Sequence, residues 1–372
     1  MSTTIFLEPN GTRNWGEQPA SRCSDQLLRR YHVMLDQNKI SWTEHHRLVR
    51  MLGSGGQGVV YLSLRRGTDN FTLPVALKIF SPERYETDRA YDEAMGRMAD
   101  VAAHVAQIQQ DNLLDVHNWI DRSRIRLMEM EWVNGFDLSL LLTGVMLDHM
   151  QARVKKDRWK YINEVIITSG PVQPRVKPGV AIAVVRDCLA ALAALHREGI
   201  VHGDMKPANI MLKRTGNAKI VDIGSAFETT NPPARRTCTP TYAAPEVLEG
   251  AECTPRSDLA SLGYVLIEML AGRPAFANLT SLSELLEAKR TLAQRLPTIL
   301  PSEVVCNELL MGFCRGLVSP DPMRRFPSAE AADLVKDGAA AFHRQLIKND
   351  MASEYDNEIR SWLAELGDLP PQ

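Results

Sequence analysis

The chain has 372 residues, with 43 Lys and Arg against 45 Asp and Glu and a formal net charge of −2. Hydrophobic residues make up 44% and charged residues 24%, which excludes wholesale disorder, and the near-neutral charge argues against a dedicated nucleic-acid or acidic-membrane binder. The 6 Cys are scattered without a CxxC pair, which excludes the familiar zinc spacings and a disulfide framework. No uncharged apolar run approaches the roughly 18–20 residues that span a bilayer, and the start of the chain lacks a signal-peptide pattern. A cytoplasmic protein with neither a membrane nor a nucleic-acid partner is expected.

Residues 1–24 are polar and read as a loose arm; DQLLRRYHVMLDQ (25–37) reads as a short helix, and together they make an N-terminal segment over 1–40. From 41 to 133 the texture is that of short strands. HRLVRML, VVYLSLRR and LPVALKIF are broken by a glycine cluster and by the turn 67–70, and LLDVHNWI and RIRLMEMEWV follow. Between these sets lies a long helix over about 87–109, with Ala94, Met98, Val101, Val105 and Ile108 at helical spacing. From 134 to 335 helices dominate: GVAIAVVRDCLAALAALHREG is a buried helix stopped by Gly199, and further helical patterns occupy 256–271, 281–295, 303–317 and 328–347. The stretch 143–178 is poorly periodic and basic, and reads as a surface insertion outside the core. Residues 336–372 form a helical extension that ends in an amphipathic EIRSWLAEL and a frayed tail. The fold class is α+β, a small antiparallel sheet unit with one long helix and a larger, mostly helical unit.

Four stretches carry chemistry. Gly53-Ser-Gly55-Gly-Gln-Gly58-Val-Val60 has the form GxGxxGxV, in which glycines let backbone approach phosphate. Strand-forming residues follow it, so it joins two strands rather than opening a dinucleotide-binding helix. Val75-Ala76-Leu77-Lys78 sets a lysine in an apolar strand, either as a snorkelling edge residue or as an ammonium aimed at phosphate. His202-Gly-Asp204-Met-Lys206-Pro-Ala-Asn209 follows the buried helix. Asp204 is a candidate proton acceptor, Lys206 a charge neutraliser and Asn209 an oxygen ligand for Mg²⁺. Lys219-Ile-Val-Asp222-Ile223-Gly224 ends a strand in a carboxylate at a turn.

Taken in order, these stretches resemble the eukaryotic-type (Hanks-type) serine/threonine protein kinases, of the kind bacteria carry, over about residues 45–335. Thr239-Pro-Thr-Tyr242-Ala-Ala244-Pro245-Glu246 resembles TxxYxAPE, Ser257-Asp258-Leu-Ala-Ser-Leu-Gly263 resembles SDxxSLG, and Asp321-Pro-Met-Arg-Arg325 resembles DPxxR. The resemblance implies a bilobal kinase fold, with the N-lobe over 41–133 and the C-lobe over 134–335. It also implies ATP with Mg²⁺, or Mn²⁺ in its place, as cofactors, protein substrates phosphorylated on serine or threonine, autophosphorylation, and a regulatory protein partner. By that resemblance Gly53, Gly55 and Gly58 cover the phosphates, and Val60 and Ala76 pack on the adenine. Glu131 and Val133 bond its edge behind Met130, Asp137 holds the ribose and Leu212 floors the pocket. Lys78 would hold phosphates, Asn209 and Asp222 the metal, and Asp204 with Lys206 the acceptor hydroxyl; Arg325 and Glu246 would form a buried ion pair.

Three departures stand out. Gly203 replaces the arginine expected beside Asp204, making this a non-RD variant in which activity need not depend on activation-segment phosphorylation. Ile223 replaces the DFG aromatic. The carboxylate that pairs with Lys78 is expected to be Glu93, with Asp100 as the alternative. Two rival functions are a pseudokinase scaffold, against which Lys78, Asp204, Asn209 and Asp222 all stand, and a small-molecule phosphotransferase, which lacks the APE and SDxxSLG segments.

Overall fold

The computed structural model describes residues 5–7, 24–36, 39–41, 45–233, 236–279, 281–348 and 355–367. Most of the 1–24 arm and the end of the C-terminal tail lie outside these residues. The chain divides into two compact units: one comprises Asn10–Gln109 and Leu114–Val133, the other Met1–Pro9, Gln110–Leu113 and Asn134–Gln372. The expected boundary at 133 coincides with that division, while the first residues of the arm join the second unit.

In chain order the elements begin with β1 (Ile5–Leu7), α1 (Asp25–Asp36), β2 (Lys39–Ser41), β3 (His45–Gly55), β4 (Gly58–Arg66) and β5 (Thr72–Phe80). They continue with α2 (Asp88–Val105), β6 (Val116–Arg122) and β7 (Ile125–Glu131), then β8 (Gly135–Asp137), α3 (Leu138–Leu141), α4 (Gly144–Arg153) and α5 (Lys156–Val165). Next come β9 (Ile167–Thr168), β10 (Arg175–Val176), α6 (Pro178–Arg197), β11 (Ile200–Val201), β12 (Ile210–Lys213), β13 (Ala218–Ile220), β14 (Phe227–Glu228) and β15 (Arg236–Cys238). The rest is helical: α7 (Pro245–Leu248), α8 (Pro255–Ala271), α9 (Leu282–Ile299), α10 (Ser302–Val305), α11 (Glu308–Val318), α12 (Ala329–Leu334), α13 (Ala339–Lys348) and α14 (Tyr355–Leu366).

The sheet unit is one six-stranded sheet in the order β2-β3-β4-β5-β7-β6, every neighbouring pair antiparallel. Its central strand β5 is buried from Val75 to Phe80 on both faces, the run expected of a strand covered on two sides. α1 turns Leu27, Tyr31 and Met34, spaced at i, i+4 and i+7, into the unit. The Thr87 hydroxyl caps α2 by accepting the Ala90 N–H at 3.1 Å. α2 is one turn shorter than the sequence pattern suggests and buries Tyr91, Met95, Val101, Ala102 and Val105. The Tyr91 hydroxyl pins it to the sheet, donating to the Phe80 carbonyl and accepting the Arg126 N–H.

The helical unit is built on α6, whose interior residues are buried almost without interruption. α6 is long and apolar enough to cross a membrane by composition, but 78% of its apolar window is buried inside the protein, so it is the core helix around which α8, α12 and α13 pack. Gly199, at φ +69°, ends it as the sequence predicts. α8 starts with a reciprocal Thr254–Ser257 capping box and stops at Gly272 in the left-handed region.

The stretch 143–178 departs from expectation. It forms α4, α5 and the β9–β10 pair and buries Met146, Leu147, Met150, Ile162, Ile166 and Ile167. Its basic residues are partly engaged as well: Arg158 binds the Glu365 carboxylate at 2.9 Å, and Arg153 donates to the Glu365 carbonyl. The partner α14, some two hundred residues on, supplies the apolar face (Tyr355, Ile359, Trp362, Leu363, Leu366) that no local pattern shows.

Candidate active site

Within the helical unit, the loop between β11 and β12 is held from beneath by one carboxylate. Asp258 of α8 accepts the His202 N–H through Oδ2 and the Gly203 N–H through Oδ1, both at 2.9 Å, and Oδ2 also meets His196 Nε2 at 2.9 Å. Burial works to raise the Asp258 pKa, but these bonds and the neighbouring histidines hold it below the ordinary carboxylate value. Gly203 sits at φ +76°, and a Cβ there would lie 3.0 Å from the Ser225 carbonyl oxygen, so the turn requires glycine.

That loop presents Asp204, which is 8% exposed. Lys206 Nζ donates to Asp204 Oδ2 at 2.6 Å and to Thr239 Oγ1 at 3.1 Å, while the Thr239 N–H donates to Asp204 Oδ1 at 3.0 Å. Two of the residues singled out from sequence, Lys206 and Thr239, thus converge on one carboxylate. Asn209 spends its amide N–H on the Asp204 carbonyl at 2.8 Å. Its side-chain oxygen has no hydrogen-bond partner among the described residues, although Asn209 is only 5% exposed. The Val221 N–H donates to the Asn209 carbonyl at 3.0 Å, which ties the residue before Asp222 to Asn209 through the β12–β13 pair. Asp222 Oδ1 accepts the Gly224 N–H at 2.8 Å, and Ile223 is fully buried.

The donor set suits a hard cation of modest protein coordination: an amide oxygen left over at Asn209 and a carboxylate at Asp222, both oxygen ligands. Among the described residues no cluster of three or more His, Cys, Asp or Glu forms a metal cage.

The segment after Thr239 is locked by charges. Arg325, 3% exposed, forms two parallel bonds with Glu246, at 2.6 and 2.7 Å, and Ser257 adds a third donor to the same carboxylate. Sequence reasoning anticipates this pair but misses Lys289. Fully buried on α9, Lys289 donates to the Thr241 carbonyl at 2.7 Å with its ammonium 4.0 Å from the Tyr264 ring centre and 4.1 Å from that of Phe276. Burial pushes its pKa well below the lysine value. Tyr242 donates to Glu268 at 2.6 Å. Cys238 is buried.

In the sheet unit, Gly55 pairs with Gly58 to close the β3–β4 hairpin. Gly58 has φ +133°, and a Cβ would lie 2.0 Å from the Ile79 carbonyl oxygen; Gly53 and Gly55 have open space around them. Lys78, 4% exposed, reaches back to this turn and donates to Gln57 Oε1 at 2.8 Å, a partner that no sequence pattern indicates. The register sets Val60 beside Lys78, and Ala76 beside Met130, so these four share one sheet face. Val133 is buried, and its backbone N–H and carbonyl have no hydrogen-bond partner among the described residues. Glu131, the last residue of β7, is fixed by Asp115, whose carbonyl takes its N–H at 3.0 Å.

The expected Glu93–Lys78 pair is not formed. The Glu93 carboxylate accepts Arg89 Nε at 2.7 Å, one turn back on the same helix, on an exposed face, and Asp100 is exposed too. The buried stripe of α2 carries no acidic residue. The alternation of β12 also corrects the reading of Leu212. Met211 is the strand partner of Asp137 and is half-buried, whereas Leu212 pairs with Phe136, points to the opposite face and is 2% exposed. Met211, not Leu212, therefore shares a face with Asp137. Asp137 itself caps α3: its Oδ1 accepts the Leu140 N–H at 3.0 Å and the Ser139 hydroxyl.

Comparison with known proteins agrees with this geometry. The family described as "Protein kinase domain" matches residues 46–335. The serine/threonine-protein kinase PknD of Mycobacterium tuberculosis is 31% identical over 235 residues, 62% of this chain and 30% of that protein. PrkC of Bacillus subtilis, also a serine/threonine-protein kinase, is 27% identical over 304 residues, 80% of this chain and 40% of the relative. The chain therefore spans well under half the length of these two relatives. The crystal structure of the Mycobacterium tuberculosis PknI kinase domain superposes with a TM-score of 0.52 at 23% identity, covering 83% of this chain and 98% of that one, and shares the fold. With its family match extending over most of the chain, this protein belongs to the protein kinase domain family.

Proposed function

We propose that the chain is an ATP- and Mg²⁺-dependent protein kinase that transfers the γ-phosphoryl group of ATP to serine and threonine hydroxyls of proteins, its own included. One observation carries the reading. Asp204 is oriented by Lys206, Thr239 and Asn209 in a unit whose fold is that of a kinase.

The acceptor hydroxyl gives its proton to Asp204 as its oxygen attacks the γ-phosphorus. Lys206, already bonded to that carboxylate, neutralises charge growing on the transferred group. Thr239 keeps Lys206 from swinging away and suits the pair to serine or threonine acceptors. Mg²⁺, or Mn²⁺ in its place, would be held by Asp222 and Asn209 and would supply charge neutralisation at the phosphates. Lys78 adds a buried ammonium, and Gly53 and Gly55 leave backbone uncovered for phosphate contact. The unpartnered backbone of Val133 suits the edge of a purine.

Retention of Lys78, Asp204, Asn209 and Asp222 tells against a pseudokinase scaffold. With Gly203 in place of an arginine, a phosphate on the activation segment has no neighbouring guanidinium there. Activity is accordingly expected to survive replacement of Thr229, Thr230 and Thr237 together.

The test is Mg²⁺-dependent transfer of labelled phosphate from ATP to a generic basic protein. Asp204→Ala should lower the rate by about 10²–10⁴-fold. Transfer unchanged in Asp204→Ala, or absent from the unmodified chain, defeats the proposal.

A further inference from the structure

α14 ends in a socket of basic side chains. The last carbonyls of a helix have no partner inside it, and here three residues from elsewhere in the helical unit supply the donors. His149 Nε2 lies 3.2 Å from the Leu366 carbonyl oxygen, and Arg153 Nε donates to that of Glu365 at 3.2 Å. Arg214 reaches two more, donating through its terminal nitrogens to Leu363 at 3.3 Å and to Gly367 at 3.0 Å. Positive charge at the negative end of the helix dipole adds to these bonds. The start of α14 is seated on the hairpin turn that carries Arg214. Asn217 Nδ2 donates to Asp356 Oδ2 at 3.3 Å, and a Cβ on Gly216 (φ +106°) would lie 2.0 Å from the Asp356 carbonyl oxygen. α14 lies beyond the 46–335 stretch that matches the family, so the family match does not account for this clamp.

Arg214 also holds the strand that carries Asp137. Its backbone N–H donates to the Asn134 carbonyl at 2.9 Å, and its Nε donates to Asn134 Oδ1 at 3.2 Å. Its guanidinium carbon lies 5.1 Å from the centre of the Phe136 ring. Asn134 immediately precedes β8, and Phe136 is the residue before Asp137. β8 is the edge strand of the sheet β13-β12-β8, with ladder bonds on one side only, so ties from outside that sheet decide how firmly it is placed. One guanidinium thus joins the end of α14 to a three-residue strand whose last residue is the carboxylate that the kinase resemblance sets at the ribose.

We propose that Arg214 is a positioning residue for nucleotide binding, through which the docked α14 holds β8 and so sets the Asp137 carboxylate against the ribose hydroxyls of ATP. The proposal rests on the kinase reading above and on Asp137 as the ribose ligand, and it adds an element outside the family match to that same site. Arg214 acts through Asn134 and Phe136 and not by contact with the nucleotide. The loop that presents Asp204 is pinned separately by Asp258, so loosening β8 weakens nucleotide binding and leaves the proton-accepting carboxylate in place.

The test uses the full chain with Mg²⁺ and measures transfer to a generic basic protein from ATP and from 2′,3′-dideoxy-ATP, which lacks both ribose hydroxyls. The wild type should prefer ATP in kcat/KM, and Asp137→Ala should lose most of that preference. Arg214→Leu should raise the KM for ATP about tenfold with kcat within about twofold, and should lose the preference to a similar extent. Combining it with Asp137→Ala should cost little more than either change alone, since both act on one contact. Asn134→Ala, an exposed change that leaves the α14 carbonyl bonds in place, should give the same split with a smaller rise in KM. A wild-type preference for ATP in Arg214→Leu, or in Asn134→Ala should Arg214→Leu not fold, would overturn this claim and leave the kinase reading standing. So would a fall in kcat alone with the preference unchanged. A preference that survives Asp137→Ala would overturn the ribose assignment and this claim with it, and no transfer from ATP by the wild type would overturn the kinase reading itself.

Discussion

Asp258 and Gly203 are joined by a 2.9 Å bond from the Gly203 N–H to Oδ1, and the other oxygen takes the His202 N–H. The loop that presents Asp204 is therefore pinned by two charge-assisted bonds to a buried carboxylate. Asp258→Asn turns one acceptor into an NH₂ group facing a backbone donor. The expected cost is about 1.5–3 kcal/mol. Steady-state kinetics should show a lower kcat with the KM for ATP unchanged, because the defect lies in the helical unit's loop.

The Arg325–Glu246 pair is buried and bidentate, so removing one partner strands a charge. Glu246→Gln should lower stability by about 3–5 kcal/mol, measured by chemical denaturation. Arg325→Lys should recover little of it, since an ammonium cannot reproduce two parallel bonds.

Glu129 is wholly buried beside His46, Arg65 and His117 in the sheet unit. Burial works to raise its pKa, but the close His117 and His46 rings and the charge of Arg65, which donates to it at 2.7 Å, prevail and hold it at about 2. A carboxylate depressed in the folded state stabilises the protein above its unfolded value, and that contribution is lost as pH falls towards the folded value. The wild type should therefore lose about 3 kcal/mol between roughly pH 4.5 and 2 through this residue. Glu129→Gln should flatten that part of a stability-versus-pH curve.

Asp187 titrates the opposite way. Burial raises it to about 6, against the Ala218 N–H that it accepts at 2.7 Å. A raised carboxylate contributes fully below its unfolded value, near 4, and that contribution is lost as pH rises through 6. Asp187→Asn keeps an acceptor for Ala218 without the buried charge. It should raise the thermal midpoint at pH 7.5 while changing little at pH 4.

Lys289 holds the Thr241 carbonyl from inside an aromatic cage. Lys289→Met retains the apolar stem and loses that bond. The KM for a protein substrate should rise while the KM for ATP stays level, separating a positioning role for the segment from Thr239 to Glu246 from a general loss of fold.

Legibility in the sequence followed the range of the interaction. The block from His202 to Asn209 was readable because a short turn packs several chemical roles at fixed spacing, and those residues do meet around Asp204. The helix stop at Gly199 and the strands around Lys78 were equally local. Helices α4 and α5 were not legible, since their apolar residues are interrupted by basic ones whose partners sit on α14. Leu212 was misplaced by a single residue, which in a strand exchanges one face for the other. Glu93 was chosen by its distance along the chain, yet a closer cation, Arg89, claims its carboxylate. Strand β1 is three residues long and gains its order from a partner more than two hundred positions away.

The left-handed backbone at Gly203 makes any larger residue beside Asp204 costly to install. Any side chain restored there would strain the backbone by about 1–2 kcal/mol and press on the Ser225 carbonyl. Placing a guanidinium there would mean reshaping both this turn and the Ser225 segment together, so the turn and its neighbour can change only as a pair.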